Sequence, residues 1–210
     1  VFDMDNTIFK GRFIDVCADQ FGFKEELMNI RSIESDDISR TKRIATLLKG
    51  KTINELFSVA DAIPMIQKTK EIVLELKSRG YIVGIISDSY ECITNHIRIK
   101  LGMDFSFANE LEFSKSICTG EIRIPSFLFS NPNSLCKHTI CKTNALLNIL
   151  DTYDIRIGNS IVIGDSLNDL CMIKESGLGI AFCSNDELVN HHADVVISKP
   201  SFDKVLELAK

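Results

Sequence analysis

The chain has 210 residues, 45% of them hydrophobic and 25% charged, with a formal net charge of −5 at pH 7. Such a length suits one compact domain, or one domain with a modest inserted lobe, that buries its core without disulfides or metal staples. The negative balance argues against nucleic acid or an anionic membrane as partner, but leaves an anionic small molecule open, since a site needs only local positive charge.

Val1-Phe2 reads as the end of a buried strand. A strand usually runs about five residues, so residues upstream of Val1 are expected. From about Gly11 to Ile63 there is no convincing strand. Phe13, Val16 and Cys17 suggest one helix, Ile44, Leu47 and Leu48 a second, and Leu56, Val59 and Ala60 a third. This stretch reads as a small helical lobe, residues 11–63, set over the carboxyl ends of a sheet. Pro64 marks the return to a core made of residues 1–10 and 64–210.

Beyond Pro64, short apolar runs alternate with helical stripes. Tyr81 to Ile86, Ser160 to Ile163, Leu178 to Phe182 and Val195 to Ile197 are strand candidates without strict alternation, as expected for strands buried on both faces. Met65, Thr69, Ile72, Val73 and Leu76 recur at helical spacing before Gly80. Ile93, Ile97 and Leu101 do so before Gly102. Leu146, Ile149 and Leu150, then Leu167, Leu170 and Ile173 before Gly177, give two more helices. The alternation predicts an α/β fold with a doubly wound, mainly parallel sheet. Glu110 to Phe113 and Thr119 to Ile124 are expected to pair as a hairpin. Pro125 to Asn133 is a loop, whose Phe127, Leu128 and Phe129 are expected to pack on the core.

The longest apolar runs are these short strands, so neither a membrane span nor a signal peptide is expected. Seven cysteines at irregular spacing do not make a disulfide framework and read as reduced thiols of a cytosolic protein. Cys136 and Cys141, with His138 between them, come nearest to metal-ligand spacing. No second Cys/His pair follows at zinc-finger spacing, and His191 and His192 lie far along the chain, so no zinc site is expected.

Chemistry concentrates at strand ends. Asp3-Met4-Asp5-Asn6-Thr7 follows the first strand, at the edge where α/β sheets bind ligands, although alone it is also compatible with an acidic turn. Gly164-Asp165-Ser166-Leu167-Asn168-Asp169 follows another apolar strand. Ser166 as helix cap and Asp169 in the first turn have an ordinary structural reading, but Asp165 does not. Asp3, Asp5, Asp165 and Asp169 at one edge would repel one another without a cation, and hard oxygen donors with room for water and phosphate suit magnesium. Ser87-Asp88-Ser89 ends a third strand, where a hydroxyl and backbone N–H groups can hold phosphoryl oxygens. Lys142, just before a helix, can supply fixed positive charge.

Taken in this order, these residues resemble the haloacid dehalogenase superfamily, in particular its phosphoserine phosphatase branch. The likeness extends to Phe107-Ala108-Asn109-Glu110-Leu111, Thr119-Gly120-Glu121, Ser176 to Phe182 and Ala193 to Ile197. It implies that Asp3 forms an aspartyl-phosphate while Asp5 protonates the leaving oxygen and then deprotonates water. It implies magnesium on the Asp3 carboxylate, the Asp5 backbone carbonyl and the Asp165 carboxylate, with Asp169 behind them or on Lys142. Ser87 and Lys142 would stabilise the transferring phosphoryl group. Asn168 and Arg43 match substrate contacts, Arg43 on a substrate carboxylate.

The chain also departs from that branch. Arg12 stands where a glutamate faces the substrate ammonium. Like charges about 4 Å apart cost about 4 kcal/mol at an effective dielectric near 20. Asp88 and Ser89 replace two glycines where backbone normally meets substrate. The expected activity is therefore magnesium-dependent hydrolysis of a small phosphorylated metabolite by a monomer or homodimer. An anionic or neutral organic phosphate would suit Arg12 and Arg43 better than phosphoserine. A phosphotransferase on the same scaffold, or a non-catalytic binding domain, are the competing readings.

Overall fold

The computed structural model describes residues 1–209. Four helices come first: α1 (Phe13–Phe21), α2 (Lys24–Ile33), α3 (Asp37–Thr46) and α4 (Ile53–Ala62). Then follow α5 (Thr69–Ser78), β1 (Gly84–Tyr90), α6 (Glu91–Leu101) and the hairpin β2 (Phe105–Ser114) and β3 (Ile117–Arg123). The last part runs α7 (Lys142–Thr152), β4 (Ile161–Gly164), α8 (Leu170–Glu175), β5 (Leu178–Phe182), α9 (Glu187–His192), β6 (Val195–Ile197) and α10 (Asp203–Leu208). None of these helices is long and apolar enough to cross a membrane.

Phe2 is the centre of the sheet. It bridges in parallel to Ile85 of β1 on one side and Ile163 of β4 on the other. The parallel order is therefore β2, β1, Phe2, β4, β5, β6, and β2 also turns back antiparallel onto β3. The chain first builds outward from Phe2 through β1 to β2, then crosses to the other side for β4 to β6. That reversal opens a crevice at the carboxyl ends beside Phe2, the usual place for a ligand in such sheets.

The continuous apolar strands follow from burial on both faces. Successive side chains point to opposite sides. Phe2, Ile85, Ile163 and Ile180 join one buried cluster with Ile72, Ile93, Ile97 and Phe202. Ile86, Val162 and Ala181, their chain neighbours, join another with Leu146, Ile149, Met172 and Val189. Helices α5, α6 and α10 thus cover one face and α7, α8 and α9 the other, which is the doubly wound arrangement expected. Two of the apolar loop residues pack on the core as expected: Leu128 is buried and Phe127 lies tilted against Phe107 with centroids 4.4 Å apart; Phe129 instead is held by a backbone bridge to Ile140.

Several boundaries differ from the sequence reading. The strand placed at Tyr81 to Ile86 begins at Gly84, because the Asp104 carboxylate takes the Val83 N–H at 2.9 Å and lateral pairing starts with Gly84 opposite Phe105. It runs on to Tyr90 through a bulge. Met65 lies outside α5 and instead bridges Phe9. Leu47 and Leu48 fall in the turn after α3, and Leu167 sits in a 3-10 turn before α8. Helix α2 was not foreseen; its signal is the pair Leu27 and Ile30, both buried.

The chain leaves the sheet at Phe9 and returns beside it at Met65, closed by the Lys10 N–H on the Pro64 carbonyl at 2.8 Å. Between those points lie only α1 to α4. Helix α3 packs on β3 and α4 on α6, which holds this helical segment next to the sheet's carboxyl edge.

Candidate active site

Three turns at the carboxyl edge carry the chemistry. After Phe2, Asn6 adopts a left-handed φ of 58°, and its N–H reaches the Gly11 carbonyl at 3.1 Å. This bend separates the aims of Asp3 and Asp5. The Asp5 Oδ1 accepts the Phe13 N–H at 2.9 Å at the start of α1, while Asn6 Nδ2 donates to Asp165 Oδ2 at 3.2 Å. After β4, Asp169 folds back under its own turn. Its Oδ2 accepts the N–H groups of Asp165 and Ser166 at 3.2 and 3.1 Å and the Ser166 hydroxyl at 3.1 Å.

Lys142, the first residue of α7, joins these turns. Its Nζ donates to Asp3 Oδ1 and Asp169 Oδ1, both at 2.8 Å. Lys142, Asp3 and Asp169 are 3%, 4% and 0% exposed, so these ions have almost no water to stabilise them. Burial alone would pull Lys142 down, but Asp169 and Asp3 outweigh it and hold the ammonium well above the usual lysine range. Burial pushes Asp3 well above the usual carboxylate range, more than Lys142 lowers it. Burial likewise raises Asp5 to about 7, and burial with the Asp169 charge raises Asp165 to about 6.

The cluster is therefore short of positive charge. Carboxylate oxygens of Asp3, Asp165 and Asp169 lie within 4.8 Å of one another. Asp169 already spends both oxygens on Lys142 and the Asp165–Ser166 turn, which leaves Asp3 and Asp165 as the carboxylates free to meet a cation. Hard oxygen donors and unbalanced negative charge fit a divalent ion such as magnesium. The Asp5 carboxylate does not belong to the converging set.

Ser87 is buried at the end of β1, and its hydroxyl accepts the Ser89 N–H at 3.3 Å. Asp88 lies 3.8 Å from Lys142 Nζ and accepts a hydrogen bond from Asn168 Nδ2. Its backbone carbonyl accepts from Asn109 Nδ2 at 2.8 Å; Asn109 is buried in β2, in the Phe107–Leu111 stretch of the resemblance. All these residues open on one cleft of about 1290 Å³. Its far wall is helical: Arg12 and Ile14 from the start of α1, Arg31 from α2, and Asp37, Arg40, Thr41 and Ile44 from α3.

Arg12 therefore faces the cleft, close enough for its charge to act on Asp5 and Asp165. Arg43 does not line it and pairs with Glu34 at 3.3 Å instead. The cleft-facing stripe of α3 is 37, 40, 41 and 44, one side of a 3.6-residue turn, and Arg43 falls off it. Arg31 and Arg40 are the cleft arginines that the sequence reading missed.

Gly164 sets the floor. A Cβ there would lie 2.5 Å from the Asp169 Cγ. Gly164→Ala must push Asp169 off Lys142 or off the Ser166 turn. The expected loss is about 1–3 kcal/mol of stability, with turnover falling in parallel; urea unfolding and a phosphatase assay read both.

Comparison with known proteins bears on the fold and the class. Residues 112–208 match the haloacid dehalogenase-like hydrolase family. Fold and match together liken the chain to the haloacid dehalogenase-like hydrolases and indicate an enzyme of the phosphatase type. Within that class it is similar to phosphoserine phosphatases. That of Methanocaldococcus jannaschii is 29% identical over 219 residues, spanning 100% of this chain and 96% of the relative. That of Archaeoglobus fulgidus is 31% identical over 204 residues, covering 95% of this chain and 56% of the longer relative. An apo phosphoserine phosphatase structure superposes with a TM-score of 0.82 at 29% identity, covering 100% of this chain and 97% of the other. A phospho-aspartyl intermediate analogue of phosphoserine phosphatase does so with 0.82 at 28%, with the same coverage.

Proposed function

We propose that the chain is a magnesium-dependent phosphomonoesterase that works through an aspartyl-phosphate on Asp3. The observation that carries this reading is Lys142, buried between Asp3 and Asp169 beside Asp165, at the edge of an open cleft. Similarity to a protein solved as its phospho-aspartyl intermediate analogue supports it.

In the first half-reaction an Asp3 oxygen forms a bond to phosphorus and the bond to the ester oxygen breaks. Asp5 gives its proton to that leaving oxygen. With Oδ1 held by the Phe13 N–H, Oδ2 is the atom left for proton exchange. In the second half-reaction Asp5 takes a proton from water, the water oxygen bonds to phosphorus, and the Asp3–phosphorus bond breaks. Lys142 and the Ser87 hydroxyl hold charge on the transferring oxygens. Asp169 keeps Lys142 in place. Magnesium on the Asp3 and Asp165 carboxylates and the Asp5 carbonyl would add positive charge facing the phosphoryl group. Helices α1 to α4, residues 11–63, would act as a cap over the phosphoryl site and contribute the arginine wall. The unpaired state of all seven cysteines supports a reducing, cytosolic setting.

The substrate follows from the cap. Arg31 pairs with Asp15 at 2.6 Å and Arg40 with Asp37, so Arg12 at the cleft is the cation that favours an anionic or neutral small phosphate over one carrying an ammonium. Purified enzyme with magnesium should turn over anionic phosphomonoesters faster than phosphoserine, and Arg12→Glu should narrow or invert that ratio. Phosphoserine as much the best substrate, with Arg12→Glu slowing it, would overturn the assignment.

Asp88 gives a second test. Its carboxylate lies 3.8 Å from the ammonium that a phosphoryl group must reach. Asp88→Gly removes a competing anion, so KM for an aryl phosphate should fall several-fold with kcat little changed, as measured by steady-state kinetics.

A further inference from the structure

The loop from Pro125 to Cys141 carries a second set of metal-type donors. The sequence offers only Cys136, His138 and Cys141, one ligand short of a closed zinc site. Folding adds the fourth. Cys171, in the first turn of α8, comes to the same place, and the ligand atoms of Cys136, His138, Cys141 and Cys171 all lie within 4.8 Å of one another. We propose that these four residues bind a zinc-type divalent cation that clamps the loop to α7 and α8 at the rim of the active site.

The donor chemistry selects the metal. Three thiolates and an imidazole form the soft Cys3His set of closed tetrahedral zinc sites, whereas magnesium takes oxygen. Tetrahedral geometry with zinc–sulfur bonds near 2.3 Å puts sulfurs about 3.8 Å apart. His138 Nδ1 and Cys171 Sγ already stand 3.4 Å apart, so small side-chain shifts complete the site. The three cysteines of the set, Cys136, Cys141 and Cys171, are all free thiols.

The local geometry also orients Cys141. Cys141 is the N-cap residue of α7, which fixes its place at the helix start. The Thr143 hydroxyl is 3.3 Å from its Sγ, and the Cys141 N–H is fixed on the Leu128 carbonyl at 2.9 Å. The loop is otherwise held by the burial of Leu128, the Phe129–Ile140 bridge and the Ser134–Asn144 hydrogen bond at 2.7 Å.

The location gives the cation a role. Cys141 precedes Lys142, and Cys171 follows Asp169 by two residues. His138, Cys141 and Cys171 line the same cleft as Asp3. A metal there ties together the two helix starts that present Lys142 and Asp169.

The test uses untagged, reduced protein given excess zinc or cobalt and then desalted. One zinc per chain is expected. The cobalt form should show thiolate-to-cobalt charge transfer and intense d–d absorption, which distinguish sulfur ligands from the carboxylate cluster. Cys171→Ser and Cys136→Ser should each lose that absorption, and chelation should lower Tm in the parent but not in the variants. Cys136 sits in the loop, outside every helix and strand, so its variant decides the matter if Cys171→Ser does not fold. Absence of stoichiometric zinc, a variant that keeps the parent's cobalt spectrum, or a metal-free chain lighter by two hydrogens and therefore disulfide-bonded would each overturn the proposal.

Discussion

Asp3→Asn is expected to cut magnesium-supported turnover of an aryl phosphate by at least about a thousandfold, roughly 4 kcal/mol of transition-state stabilisation. The asparagine Oδ1 can still accept from Lys142, so the buried contact at 2.8 Å has a stand-in and the fold should persist. What disappears is the anionic oxygen that bonds to phosphorus. Acid quenching during turnover should trap chain-bound phosphate in the parent and none in the variant. Turnover within tenfold of the parent would rule out the aspartyl-phosphate route.

Lys142→Met should bring the largest loss of stability. Methionine keeps the side chain's length but removes the charge shared by Asp3 and Asp169 in a site 3% exposed. Breaking a buried ion cluster from one side costs about 3–5 kcal/mol because the remaining charges are stranded. Urea unfolding at pH 7 measures it. The sign with pH is fixed by Asp3. Its carboxyl is raised in the fold, so its protonated form prevails at low pH, where it needs no ammonium. The deficit should therefore shrink on acidification and grow as pH rises through the folded-state pKa. Lys142→Arg should not restore the parent, since a planar fork cannot place one nitrogen between two carboxylate oxygens in so closed a space. A loss below about 1 kcal/mol would mean that the cluster is not a coupled unit.

How much of this was legible depends on the range of the interaction. Asp3 and Asp165 could be read because each closes an apolar run, with Asp5 two residues beyond Asp3, and a parallel sheet puts the ends of such runs on one edge. The turn from Ser166 to Asp169 is closed by residues three and four apart, so its chemistry is local. Arg12 could be placed for the same reason, only five residues beyond Thr7. Arg43 could not. It and Arg40 are less than one helical turn apart, and only the packing of α3 on β3 decides which of them turns toward the cleft.

Helix α2 was missed because its apolar face is brief and most of its residues are polar, so periodicity over one or two turns gave too little signal. The start of β1 was misplaced because the Asp104 side chain, twenty-one residues from Val83, takes a backbone group that the strand would otherwise pair.

By itself the sequence determined the alternation of buried strands and amphipathic helices, the helical segment after the first strand, and the identity of the acids at the strand ends. These rest on spacing and composition, which are properties of neighbouring residues. Only the tertiary structure decided what each charged or soft group meets. Lys142 bonds to Asp3 across 139 residues and to Asp169 across 27. Arg12, Arg31 and Arg40 come from three helices to one wall, and Cys171 comes from α8 to a loop thirty residues earlier. Such contacts depend on how the elements pack, and burial of the apolar faces, not the polar groups themselves, sets that packing.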